Sequence, residues 1–184
     1  MAKSKVSAGK VASKGKSKPT EDLNEKGRKV VYPELTIRPL SGDNRLYAEQ
    51  AKELLGWTPL GQEEKGHYTL LDAMGNRVRC VNNDRNRPFD ESHARKLAQD
   101  ILNGHWKLNG ESIIVGKTGL ILSGQHRLAA LVYAWQLWGS TAQGNHWSSK
   151  WEQEPSIETL LVCGIDESPE VTRTLDNVKP RILS

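Results

Sequence analysis

The sequence predicts an α+β domain, a small mixed sheet with flanking helices, behind a disordered basic tail. Three observations carry that expectation. Residues 1–18 hold six lysines and no acid, whereas the other 166 residues carry 20 basic and 22 acidic groups. From residue 35 onward, short apolar runs of strand length alternate with stretches of helical periodicity. A strand, a Ser-Gly turn and a helix then follow one another directly over residues 120–138.

Taken in order, residues 1 to about 30 consist of Lys, Ser, Gly, Ala and a few acids, too little apolar surface to offset chain entropy. The expected division is therefore a tail over 1–33 and one domain over 34–184. Residues 35–40 read as an extended segment. Asp43 or Asn44 then caps a short helix, with Tyr47, Ala51, Leu54 and Leu55 at helical spacing and Gly56 at its end. Residues 67–71 and 77–81 flank a Gly- and Asn-containing turn, the pattern of a small hairpin. Asp90 caps the clearest helix, which sets Ala94, Leu97, Ala98, Ile101 and Leu102 on one face and stops before Gly104. Residues 112–116 and 120–122 form two short strands. Gly124 opens a second helix, with Leu128, Leu131, Val132 and Trp135 inward and Gly139 as its stop. A polar, Trp-containing insertion leads to a core strand at 157–163, and Ser168-Pro169-Glu170 starts a last short helix.

Composition excludes several function classes. With 36% hydrophobic and 26% charged residues the chain fits a water-soluble protein, and its longest apolar stretch, 128–138, is far below the roughly 20 residues that span a bilayer. No secretory core follows the N-terminal lysines, so a cytoplasmic location is expected. Cys80 and Cys163 stand alone in apolar, strand-like surroundings, which points to buried reduced thiols. His67, His93, His105 and His146 lack zinc-site spacing. Gly116-Lys117-Thr118 resembles the end of a P-loop, but Glu111 stands where the first glycine belongs and a strand follows, so it is read as a turn. Trp135, Trp138, Trp147 and Trp151 read as core cover, or as a stacking surface around the insertion.

Chemistry concentrates at Ser123-Gly124-Gln125-His126-Arg127. Unpaired N–H groups at a helix start, with a nearby Arg, suit a phosphate. A tight turn with Arg127 in an ordinary ion pair is the alternative. Lys3, Lys5, Lys10, Lys14, Lys16 and Lys18 form either a solubilising extension or a DNA-binding arm, since clustered cations displace counterions from phosphates.

The order of Asn86-Arg87-Pro88-Phe89-Asp90, the helix ending at Gly104, the Ile113-Ile114-Val115 strand and Ser123-Gly124-Gln125-His126-Arg127 resembles the N-terminal domain of the ParB family, within the ParB/sulfiredoxin-like superfamily. Its phosphate turn is similar to the "DGQHR" variant of DndB-like proteins, with Ser123 in place of Asp. The resemblance covers about residues 82–181. It implies that residues 123–127 hold the phosphates of CTP or ATP, that Asn86 and Arg87 approach from the preceding loop, and that Asp176-Asn177 and Arg181 stand for an "ENxxR" segment. There Asp176 would face Mg²⁺. Three residues follow Arg181, so the later regions of a partition clamp are not expected here.

Sulfiredoxins carry a cysteine where Gln125 stands, and a carboxamide cannot replace that nucleophile, so sulfiredoxin activity is not expected. The expected function is triphosphate binding in a DNA-associated process, with hydrolysis, if any, slow. The rivals are a DNA-binding module without nucleotide and an ATP-dependent component of DNA modification.

Overall fold

Pairing of strands distant in sequence organises the chain. In the computed structural model, which describes residues 27–60, 70–84, 86–140 and 153–175, an α+β arrangement is built around a four-stranded mixed sheet. Its strands are β1 (Thr36–Leu40), β9 (Thr159–Ile165), β6 (Ser112–Gly116) and β7 (Ile121–Ser123), in that spatial order. β1 and β9 are antiparallel, as are β6 and β7, while β6 and β9 run parallel. A parallel pair needs a crossover, and helix α3 (Gln125–Ser140) lies on the connection between them. Ile113 and Val115 point inward from β6 and are fully buried, with the half-buried Ile114 between them on the other face.

Helix α3 is the core. Every residue from Leu128 through Ala134 is buried, so this stretch is covered around its whole circumference rather than on one face. Helices α2 (Glu91–Leu102) and α1 (Ala48–Leu55) pack against it. As the sequence suggests, Asp90 caps α2, its carboxylate accepting from His93 N at 3.0 Å. Ala94, Ala98, Ile101 and Leu102 are buried, and Leu97 is partly so.

The expected hairpin forms from β4 (Leu70–Leu71) and β5 (Arg77–Cys80). An unexpected edge strand, β3 (Trp57–Pro59), adds to β5. Pro59 is tolerated because an edge strand has an N–H to spare. Cys80 and Cys163 are buried and not joined in a disulfide.

Three local expectations are corrected. The first helix starts at Ala48, not after Asp43 or Asn44. Asn44 N instead closes a turn onto Ser41 O at 3.1 Å, and Arg45 is held by Glu158 at 2.7 Å and Ser156 Oγ at 2.9 Å. That anchorage draws β2 (Leu46–Tyr47) into pairing with β8 (Ser156–Ile157), and long-range pairing overrides the local cap. Gly139 does not stop α3, which continues through Ser140. The strand expected at 157–163 is divided, with β8 on one small sheet and β9 on the main one, and Glu158 between them. Helix α4 (Pro169–Leu175) begins where the Ser-Pro-Glu pattern places it. No helix among the described residues is long and apolar enough to cross a membrane. Residues 1–26 of the expected tail, the insertion residues 141–152 and the segment 176–184 lie outside the described residues.

Candidate functional site

Strand β7 ends at Ser123, and one residue later α3 begins. Gly124 makes that connection at φ 97°, a left-handed conformation that favours glycine. A Cβ there would lie 2.9 Å from Ile113 Cγ1 and 3.2 Å from Ile113 Cα. Close approach is therefore required by β6 itself, whether or not a ligand also uses it. Leu128 N is the first α3 amide to bond back across the turn, to Gly124 O at 3.0 Å, which leaves those of Gln125, His126 and Arg127 with no carbonyl behind them in the helix.

Beside this first turn lies a cleft of about 340 Å³ walled by Arg87, His93, Trp106, Glu111, His126 and Arg127. Ser123, Gly124 and Leu97 also line it. The Trp106 indole is fixed by donating to Glu158 O at 3.0 Å.

His126 is nearly buried, at 9% exposure, and stacks on Phe89 with ring centres 4.9 Å apart. His93 meets it edge-on at 5.3 Å. Its Nε2 accepts from Asp90 N at 2.9 Å, so the neutral ring carries its proton on Nδ1. Burial, then the neighbouring His93 and Arg87, push the imidazole down to a pKa of about 4, against an opposing pull from Asp90. At neutral pH it is uncharged. Nδ1–H has no hydrogen-bond partner among the described residues.

Arg127 is largely occupied. Nη1 donates to Ser112 O at 3.0 Å, and Nη2 pairs with Glu111 Oε2 at 2.9 Å. Burial lowers its pKa and Glu111 opposes that, and a guanidinium stays charged throughout. The ion pair that was the alternative reading of Arg127 is thus present. Arg87 differs: its side chain is exposed and pairs with no carboxylate among the described residues, although it lies close enough to act electrostatically on both His126 and Arg127.

Of the residues singled out in the sequence, Ser123, Gly124, His126, Arg127 and Arg87 converge on one cleft. Gln125 does not face it. It is buried, donating to Arg87 O at 2.9 Å and accepting from Asn83 Nδ2 at 3.1 Å, so it braces the loop before α2. Asn86 is likewise spent on structure, its amide donating to Ile121 O. Asp176, Asn177, Arg181 and the six tail lysines lie outside the described residues. Glu111 was missed as a cleft residue, yet strand register brings it there. Continuing the antiparallel pairing past Ile114–Ser123 runs Ser112 and Glu111 alongside the first turn of α3.

The P-loop-like turn binds a protein carboxylate instead of a phosphate. Thr118 N and Oγ1 both donate to Glu167 Oε1 at 2.7 Å. Trp138 packs on the core, and Trp135 carries Lys52 over its ring at 3.9 Å, while Trp147 and Trp151 lie outside the described residues. Among the described residues no group of three or more His, Cys, Asp or Glu is arranged to hold a metal. Compared with known proteins, the chain matches no family model, no curated protein and no solved structure.

Proposed function

We propose that this domain binds a nucleoside triphosphate, CTP or ATP, with its phosphates at the start of α3, and that it serves a DNA-associated process through the lysine-rich tail. The observation that carries the reading is a convergence of donors that have no acceptor among the described residues. His126 and Arg127, which carry two of the first-turn N–H groups of α3, and the exposed Arg87 all line one cleft. Donors open to one cleft, an exposed guanidinium among them, fit a multiply charged anion. Leu97 and Trp106 give the same cleft an apolar side suited to a base. The ParB/sulfiredoxin-like resemblance read in the sequence would put phosphate at the same turn.

Mg²⁺ belongs to this proposal as the ion carried on the triphosphate. Glu111 is the one carboxylate lining the cleft among the described residues, and it is already committed to Arg127. Gln125, buried as a brace, offers no nucleophile, so no covalent step is assigned.

A second reading, a DNA-binding module without nucleotide, is favoured by a different observation: Gln125 and Arg127, and Nε2 of His126, already have protein partners. Calorimetric titration of the full chain with CTP, ATP and GTP, each with Mg²⁺ and with or without a DNA duplex, separates the two. Saturable binding of a triphosphate is the expected result. Binding of DNA alone, with an affinity that loses its salt dependence when residues 1–26 are removed, would overturn the first reading in favour of the second.

A further inference from the structure

Among the described residues two arginines line the cleft, and they are not equally available. Arg87 is exposed and pairs with no carboxylate among the described residues. Arg127, with its side chain only 17% exposed, is clamped between Ser112 O and the Glu111 carboxylate. Its bond to Ser112 O fixes it from the strand side, so Arg127 keeps its position whatever Glu111 does. Glu111 itself is 65% exposed and follows Gly110, whose φ is 79°. Its main chain is held separately, Glu111 N donating to Asn109 Oδ1 at 3.1 Å. The carboxylate can therefore leave Arg127 for solvent without undoing the turn that carries it.

We propose that Glu111 is a specificity-determining residue of this cleft, a resident anion that an incoming ligand must displace to reach Arg127. The inference rests on the anion-binding reading above and adds to it a charge requirement. A ligand with a single phosphate is accommodated by Arg87 and the α3 amides and leaves the Glu111–Arg127 pair intact. A ligand with two or more linked phosphates extends from Arg87 to Arg127, and its second phosphate replaces the Glu111 carboxylate. Displacement costs the ligand a charge-assisted bond that the protein already had. Only a polyphosphate meets that cost, and only a polyphosphate gains when it is removed.

The test uses full-length wild-type and Glu111→Gln protein, titrated with orthophosphate, pyrophosphate and tripolyphosphate at low ionic strength. A glutamine keeps the backbone turn and surrenders the charge. The variant is expected to bind pyrophosphate and tripolyphosphate about tenfold more tightly, and orthophosphate within about twofold of wild type. Glu91→Gln is the control: that residue pairs with Arg95 on α2, outside the cleft, and removes the same unit of charge. It should leave all three affinities unchanged. An equal gain for all three anions, or the same gain from Glu91→Gln, would mean a diffuse charge effect and would overturn the inference while leaving the binding site in place. No gain for the longer anions, in a wild type that binds them, overturns it as well. Failure of both proteins to bind any of the three would remove the anion-binding reading together with it.

Discussion

At the β4–β5 hairpin, Asp72 is buried and its carboxylate accepts four hydrogen bonds: from Met74 N at 2.9 Å, Asn76 N at 2.8 Å, Asn76 Nδ2 at 3.2 Å and Gln136 Nε2 at 2.9 Å. Gln136 closes the circuit by accepting from Ala73 N at 3.1 Å, Arg95 donates to Asp72 O at 3.0 Å, and the Tyr133 hydroxyl donates to Leu71 O. The start of α3 has side chains of similar polarity and the opposite accounting. Gln125 is bonded at both ends of its amide, but His126 Nδ1, the Arg87 guanidinium and the three first-turn amides of α3 have no partner among the described residues. Helix α3 thus carries a closed polar network toward one end and an open one at the other. A closed network holds structure; an open one leaves donors for something else.

Breaking the closed network should have the largest effect. Asp72→Ala removes the buried acceptor of four part-buried hydrogen bonds at once, so a stability loss of about 2 to 3 kcal/mol is expected. Urea unfolding monitored by circular dichroism measures it. Triphosphate affinity per folded molecule should be unchanged, because the network does not border the cleft. A loss below about 1 kcal/mol would show that the hairpin does not depend on this circuit.

The same contrast explains how much the sequence disclosed. The cap at Asp90, the strand at 112–116 and the Ser-Gly turn into α3 were legible because each rests on local residue chemistry. The start of α1 and the division of β8 from β9 were not, since both depend on Arg45 reaching Glu158 and Ser156 across more than a hundred residues. In the cleft, Gly124, His126 and Arg127 were legible by residue type, but their partners were not. Only tertiary placement reveals that Ile113 demands Gly124, that Gln125 faces inward and that Glu111 already answers Arg127.

A smaller effect should sharpen the contrast through pH. His126 has a folded pKa of about 4, well below the ordinary value of 6.5. As pH falls through 6.5 the unfolded chain takes up a proton that the folded imidazole refuses, so stability declines between about pH 6.5 and 4 and levels off below. From pH 7 to pH 5 this one group should remove about 1 to 2 kcal/mol. The expected reading is the difference between wild type and His126→Gln in urea melts, which should shrink over that interval. A constant difference would show that the buried ring does not resist protonation. Because Nδ1–H donates from the neutral ring, its contribution to anion binding should not require acid.

The smallest effect on the fold should accompany a clear effect on binding. Arg87 is exposed, its guanidinium pairs with no carboxylate among the described residues, and the structural contact it makes with α3 runs through its carbonyl, which accepts from Gln125 Nε2. Truncation at Cβ leaves that carbonyl in place. Arg87→Ala should therefore change stability by less than about 0.5 kcal/mol, as for a surface position. It should weaken triphosphate binding about tenfold, close to the loss of one charge-assisted contact, or about 1.4 kcal/mol. Arg127→Ala provides the opposing case. It removes a guanidinium that holds Ser112 O and Glu111, so it should cost both stability and affinity. Lysine at position 87 should restore part of the affinity, because it keeps the charge without the planar fork. Calorimetric titration paired with urea unfolding on the three variants decides the matter. If Arg87→Ala binds triphosphate like wild type, the open donors at the start of α3 are not a phosphate site, and the distinction between the two networks loses its functional meaning.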